Sequence, residues 1–85
     1  MGRRRGEVQI LICILTLSLN GVKATHLMYK ANLSYSTLRR YLSAALKNGL
    51  IRKVCDNDGS TVYFITERGK LVLEKLRDVE CVLKF

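Results

Sequence analysis

Residues 8–19 read V-Q-I-L-I-C-I-L-T-L-S-L, with Gln9, Thr16 and Ser18 the only polar side chains among them. A helix of this composition has no polar side, so it has to be covered on both. It is too short to cross a bilayer, which takes about 20 apolar residues in a helix. With Arg3, Arg4 and Arg5 ahead of it and Val22-Lys23-Ala24 behind, the run mimics a signal peptide and its cleavage site. Removing residues 1–24 would strip the remaining helices of much of their core, and we therefore read residues 7–20 as a first helix closed by Asn20-Gly21. One of its faces has to pack within its own domain, the other on a partner subunit or on the C-terminal helix.

Covering such a helix takes several further elements, and 85 residues supply them only as one domain. A chain this short has a marginal core that a partner subunit would help to stabilise. Residues 21–23 read as a short extended connection, and residues 24–31, A-T-H-L-M-Y-K-A, as a second helix with Leu27, Met28 and Ala31 on its buried stripe. Asn32 closes that helix and Leu33 anchors a turn. Residues 34–48 then form a third helix, in which Leu38, Leu42, Ala45 and Leu46 share one stripe at about 100° per residue. Ser34 suits its N-cap, and Gly49 supplies the left-handed residue that ends it. Two short helices joined by such a turn make a helix-turn-helix.

Beyond the third helix the pattern changes. L-I-R-K-V-C at 50–55 and T-V-Y-F-I-T at 61–66 are rich in β-branched and aromatic residues, with D-N-D-G-S between them, so residues 50–66 read as a β-hairpin. Residues 67–84 form a long last helix, capped by Thr66 and with Glu67 in its first turn. Val72, Leu76, Val79 and Leu83 are spaced 4, 3 and 4 along it, a seam that suits packing on its own domain or on a dimer mate; Leu71, Leu73 and Val82 lie off the seam. The fold class expected is α+β: a three-helix core, a hairpin wing and a long C-terminal helix.

Charge gives this scaffold a direction. The net charge is +8, and no acidic residue falls between Glu7 and Asp56, a stretch that holds Lys23, Lys30, Arg39, Arg40, Lys47, Arg52 and Lys53. Such asymmetry favours a polyanionic partner, nucleic acid before an anionic membrane. Ser36, Arg40, Ser43 and Lys47 occupy the polar stripe of the third helix, with Arg39 at its border. A helix of this size fits the major groove of double-stranded DNA, where arginine addresses guanine edges and hydroxyls address phosphates or bases. We expect Arg40 and Ser36 at base edges, and Tyr35, Arg39, Ser43 and Lys47 at phosphates or secondary base contacts. Lys23, Lys30, Arg52 and Lys53 surround the helix as backbone contacts, and the Arg3–Arg5 arm reads either as a solvated terminus or as a phosphate-contacting arm.

Catalysis finds little support. The chain has no carboxylate pair in an apolar setting, no Gly-rich phosphate loop and one histidine, His26, which reads as a surface side chain. Three widely spaced cysteines, Cys13, Cys55 and Cys81, with a single histidine fit neither a disulfide framework nor a zinc site. They read as reduced thiols of an intracellular protein, Cys13 in the core and Cys81 at a subunit contact. No cofactor, metal or membrane is expected.

M-Y-K-A-N-L-S-Y at 28–35, L-K-N-G-L-I at 46–51 and Y-F-I-T-E-R-G-K at 63–70 resemble the archaeal winged helix-turn-helix family of small DNA-binding, chromatin-type proteins and transcription regulators. The likeness runs over nearly the whole chain, although G-L-I and T-x-x-G are common to winged helices at large. It implies double-stranded DNA binding, usually as a homodimer, with the last helices forming an antiparallel coiled coil in some members. Here the last helix would be roughly 27 Å long at about 1.5 Å per residue. One feature departs from the pattern: a wing that enters the minor groove carries Arg or Lys at its tip, whereas Asp56 and Asp58 flank this turn. We expect the tip to stay off DNA and only its base, Arg52 and Lys53, to approach a phosphate. The function expected is transcriptional regulation. The rivals are architectural DNA binding with little sequence preference and a winged helix used for protein contacts.

Overall fold

The computed structural model describes residues 6–83, with side chains through residue 79. The Arg3–Arg5 arm, the side chains of Cys81, Val82 and Leu83, and Lys84 at the expected end of the last helix lie outside the described residues. The elements run α1 (Glu7–Leu17), a 3-10 turn (Ser18–Asn20), β1 (Val22–Lys23), α2 (Ala24–Ala31), α3 (Tyr35–Lys47), β2 (Ile51–Cys55), β3 (Thr61–Ile65) and α4 (Glu67–Leu83). This is an α+β winged helix.

Ile14, Leu15, Leu27 and Leu38, from the first three helices, are fully buried at the centre of the core. Leu42, Ala45, Ile51, Ile65 and Leu73 close it from α3, the sheet and α4. α1 packs on both α2 and α4, so its second face is covered largely from within the chain, with Val8 in its first turn and Leu19 in the 3-10 turn after it left exposed. The helix is shorter than the expected 7–20. Ser18 is fully buried and donates its hydroxyl to the Ile14 carbonyl at 2.8 Å, a local bond of the kind that competes with regular helix. Cys13 is half-buried rather than in the core, and Cys55 is exposed.

The sheet has one strand more than the expected hairpin. Val22 and Lys23 pair antiparallel with Tyr63 and Val62, giving the strand order β1-β3-β2. A two-residue strand is too short to display an alternating pattern, which is why residues 21–23 read as a plain connection. Its effect is to cover the outer edge of β3 and to tie the helix-turn-helix to the wing.

Both helices of the helix-turn-helix end alike. Asn32 adopts φ 56°, with Leu33 N–H donating to the Met28 carbonyl and Asn32 N–H to that of Tyr29. Gly49 adopts φ 73°, with Leu50 N–H donating to Ala45 and Gly49 N–H to Leu46. In each the chain takes one left-handed residue and satisfies the last carbonyls, which fixes the direction in which it leaves.

The start of α4 is locked to this second terminus. Thr66 N–H donates to the Leu50 carbonyl, and the Thr66 hydroxyl donates to Gly49 and accepts from Gly69 N–H. A Cβ on Gly69 would overlap the Leu50 carbonyl oxygen and lie 2.7 Å from Ile65 Cγ1, so the helix sits directly against the hairpin base. Leu73, one turn on, is 4% exposed and carries the core contact of α4; Val72 and Leu76 pack partly against the core, while Val79 is 50% and Leu71 61% exposed. The face turned to the core is therefore set by Gly69 and Leu73. Val72 and Leu76 of the heptad seam lie at its margin and Val79 beyond it.

Candidate nucleic-acid interface

α3 is held at both ends and along one side, which leaves its other side as a rigid platform. Ser34 accepts from Thr37 N–H at 3.3 Å, the expected N-cap bond, and Asn48 donates its side-chain amide to the Ala44 carbonyl at 2.7 Å. Leu38, Leu42 and Ala45 are buried, whereas Tyr35, Ser36, Arg39, Arg40, Ser43 and Lys47 are turned outward. Ser36, Arg39, Arg40 and Ser43 line one open depression on the outer surface. Arg40 also borders a hollow shared with Glu7, Tyr41 and Ala44, and Lys47 stands in the last turn.

A second, deeper cleft of about 300 Å³ separates α3 from the sheet, lined by Ala24, Tyr35, Arg39, Leu42, Ser43, Leu46, Lys53 and Tyr63. Arg39 is at the junction of the two, its guanidinium 5.9 Å from the centre of the Tyr35 ring, a cation–π arrangement that keeps the charge over the platform. Lys53 and Tyr63 are direct cross-strand partners, so their side chains emerge on the same face of the sheet, the one turned to α3. Burial pushes the Tyr63 hydroxyl above its ordinary pKa, Tyr35 adds to the rise and Arg39 opposes it.

The basic residues named from sequence thus divide. Arg39, Ser43, Tyr35 and Lys53 converge on the cleft, and Ser36 and Arg40 join Arg39 and Ser43 on the outer surface. Arg52 does not join them. Successive strand residues point to opposite faces, and its guanidinium lies 5.3 Å from the centre of the Phe64 ring on the far side of the sheet. Lys30 is exposed on the last turn of α2 and lines neither depression. Lys23 faces Asp58 at 3.7 Å, and His26 is exposed. Sequence reasoning missed Tyr63, because an aromatic in the middle of T-V-Y-F-I reads simply as strand. Counting the hairpin register outward from the turn would have placed it opposite Lys53.

The wing tip is a self-contained turn. Asp56 N–H donates to Ser60, Gly59 N–H to Asp56, Asn57 N–H to the Asp56 carboxylate and Ser60 N–H to that of Asp58. Bonds from Ser60, and then the Lys23 ammonium, hold the Asp58 carboxyl below its ordinary value of 3.8. A depressed pKa means that this stabilisation is present above 3.8 and is lost as the pH falls through the folded value. A carboxyl titration by NMR should place the Asp58 midpoint below 3.8; a wild-type midpoint at 3.8 would contradict the turn geometry.

Among the described residues no cluster of His, Cys, Asp or Glu could hold a metal ion, and no helix is long and apolar enough to cross a membrane. An uncharacterized protein of Methanocaldococcus jannaschii is 40% identical over 77 residues, a match that takes in 89% of this chain and 34% of that protein. The chain therefore spans about a third of the length of that relative. Among solved structures, the DNA-binding protein Sso10a-2 of Sulfolobus solfataricus superposes with a TM-score of 0.83 at 28% identity, over 92% of this chain and 81% of the other. A MarR family transcriptional regulator of Silicibacter pomeroyi gives 0.72 at 27% identity, over 84% and 48%. The transcriptional regulator BldR of Sulfolobus solfataricus, at 19% identity and 0.81, covering 87% and 55%, shares the fold. Residues 4–84 match the winged helix-turn-helix family, and the chain belongs to it.

Proposed function

We propose that this chain binds double-stranded DNA as a transcription regulator, with α3 in the major groove. The observation that carries the reading is the exposed face of α3, where Ser36, Arg39, Arg40 and Ser43 lie together on a helix fixed at both termini. Arg40 and Ser36 are assigned to base edges, and Tyr35, Arg39, Ser43, Lys47 and Lys53 to phosphates or secondary contacts. Lys30 is a peripheral backbone contact. Arg52 is the weakest of the set, since it stacks on Phe64 away from α3. The likeness to a DNA-binding protein and to a MarR family regulator supports this reading. The role is non-catalytic and intracellular, at the nucleoid.

We assign a homodimer to the same reading, paired through α4 and through α1 with the 3-10 turn that follows it. Among the described residues, Val79 and Leu71 on α4, Val8 in the first turn of α1 and Leu19 in the 3-10 turn are the exposed large apolar side chains of this part of the molecule, and Val72 and Leu76 flank them half-buried. Two copies would present two recognition helices to one duplex.

Selection of bound fragments from random duplex DNA, with sedimentation of the protein alone and with the recovered site, tests both statements. An enriched motif, bound with a large preference over competitor DNA at physiological salt, supports a regulator. Binding without a motif, with affinity falling steeply in salt, favours an architectural role. A monomer in both sedimentation runs overturns the dimer.

A further inference from the structure

The cleft between α3 and the sheet is built from two directions and carries a chemistry of its own. α3 contributes Tyr35, Arg39 and Ser43, and the sheet contributes Lys53 and Tyr63. The lining holds two cations and three hydroxyls, and no carboxylate. Lys23 of β1 and Asp58 of the wing tip, an oppositely charged pair, face each other instead. A volume of about 300 Å³ matches the share of about ten waters in the liquid, room for a tetrahedral anion and part of its flanking sugar.

We infer that this cleft is a phosphate seat, which takes one phosphodiester of the bound duplex between Arg39, Lys53 and the Tyr63 hydroxyl. Arginine and lysine supply charge-assisted donors, and the tyrosine and serine hydroxyls supply directed ones. The Tyr63 hydroxyl is protonated and able to donate throughout the physiological range, as a phenol ordinarily is, and burial only raises its pKa further. The Tyr35 ring holds Arg39 in place, and the cross-strand register holds Lys53 beside Tyr63. The wing then meets DNA at its root, through β2 and β3, while its acidic tip is occupied by its own turn bonds and by Lys23. The inference rests on the proposed DNA binding for the source of the phosphate, and on the cleft alone for its chemistry.

The test uses the full chain as wild type, Tyr63→Phe, Lys53→Gln and Arg40→Ala. Binding to a duplex is titrated in salt, and inorganic phosphate binding is followed on the Tyr63 ring resonances. Tyr63→Phe keeps the packed ring and should bind every duplex about three- to tenfold more weakly, and Lys53→Gln should reduce the salt slope by about one. Lys53 is exposed, so its variant gives a readout even where a change at Tyr63 disturbs the sheet. Wild-type affinity and slope in both cleft variants, with loss only in Arg40→Ala, would overturn the seat and leave the DNA reading standing. No duplex binding by the wild type, with inorganic phosphate still shifting Tyr63 in a Lys53-dependent way, would support the seat and overturn DNA as its source. Neither kind of binding overturns both.

Discussion

Gly69→Ala is expected to destabilise the protein by about 1–3 kcal/mol, the usual penalty for forcing atoms into a packed site. For a domain of this size that corresponds to a fall in Tm of roughly 5–20 °C. The sign is what makes the experiment decisive. Gly69 lies in the first turn of α4, and inside an unconstrained helix alanine would be favoured over glycine by about 1 kcal/mol. Here the added methyl would overlap the Leu50 carbonyl oxygen and crowd Ile65, neither of which has room to yield. Leu50 is pinned at the end of α3 by its bond to Ala45, and Ile65 is 7% exposed in the core. Moving α4 outward instead would break the bonds of Thr66 to Leu50 and Gly49 and withdraw Leu73 from the core. Thermal unfolding of Gly69→Ala beside Gly6→Ala, where a Cβ meets nothing within 4 Å, checks the prediction. A higher Tm for Gly69→Ala would refute the close approach of α4 to the hairpin.

That contact also shows where the sequence is legible. Local signals can be read directly because each is decided within a few residues: the Ser34 cap, the left-handed Asn32 and Gly49, and the Thr66 cap. The features that escape depend on partners distant in sequence. β1 exists only because β3 offers an edge to Val22 and Lys23, and nothing in two residues announces it. On α4 a heptad count favours Val72 and Leu76, but the face turned inward is fixed by where Gly69 docks on Leu50, which makes Leu73 the buried residue.

The candidate site divides along the same line. The outer face of α3 follows from helical periodicity, because Ser36, Arg39, Arg40 and Ser43 need only the turn geometry of one element to come together. The cleft needs the hairpin register as well. Arg52 and Lys53 are neighbours in the chain, yet the two-residue period of a strand sends one to Phe64 and the other toward Arg39. Tyr63, opposite Lys53, belongs to the same cleft and carries no charge by which to notice it.

Replacing Arg39 and Arg40 together with alanine is expected to weaken duplex binding by about a hundredfold or more near 0.1 M salt while leaving the fold intact. A bidentate arginine–guanine contact discriminates by about 1–3 kcal/mol, and each lost phosphate contact lowers affinity further and in a salt-dependent way. Both side chains are exposed and form none of the ion pairs found among the described residues, so thermal stability should change little. The single variants separate the two roles. Arg40, on the outer surface beside Ser36, should lose affinity mainly for the selected site and so relax the sequence preference. Arg39, stacked on Tyr35 at the mouth of the cleft, should lose affinity equally on all duplexes and lower the salt slope by about one. The pattern would reverse if Arg39 read bases and Arg40 a phosphate, which would mean that α3 is rotated in the groove by about the 100° that separates successive helix positions. If the double variant bound DNA as tightly as the wild type, α3 would not be a recognition helix at all. Its basic face, with the exposed Val8 and Leu19, would then have to be explained as a surface for another protein.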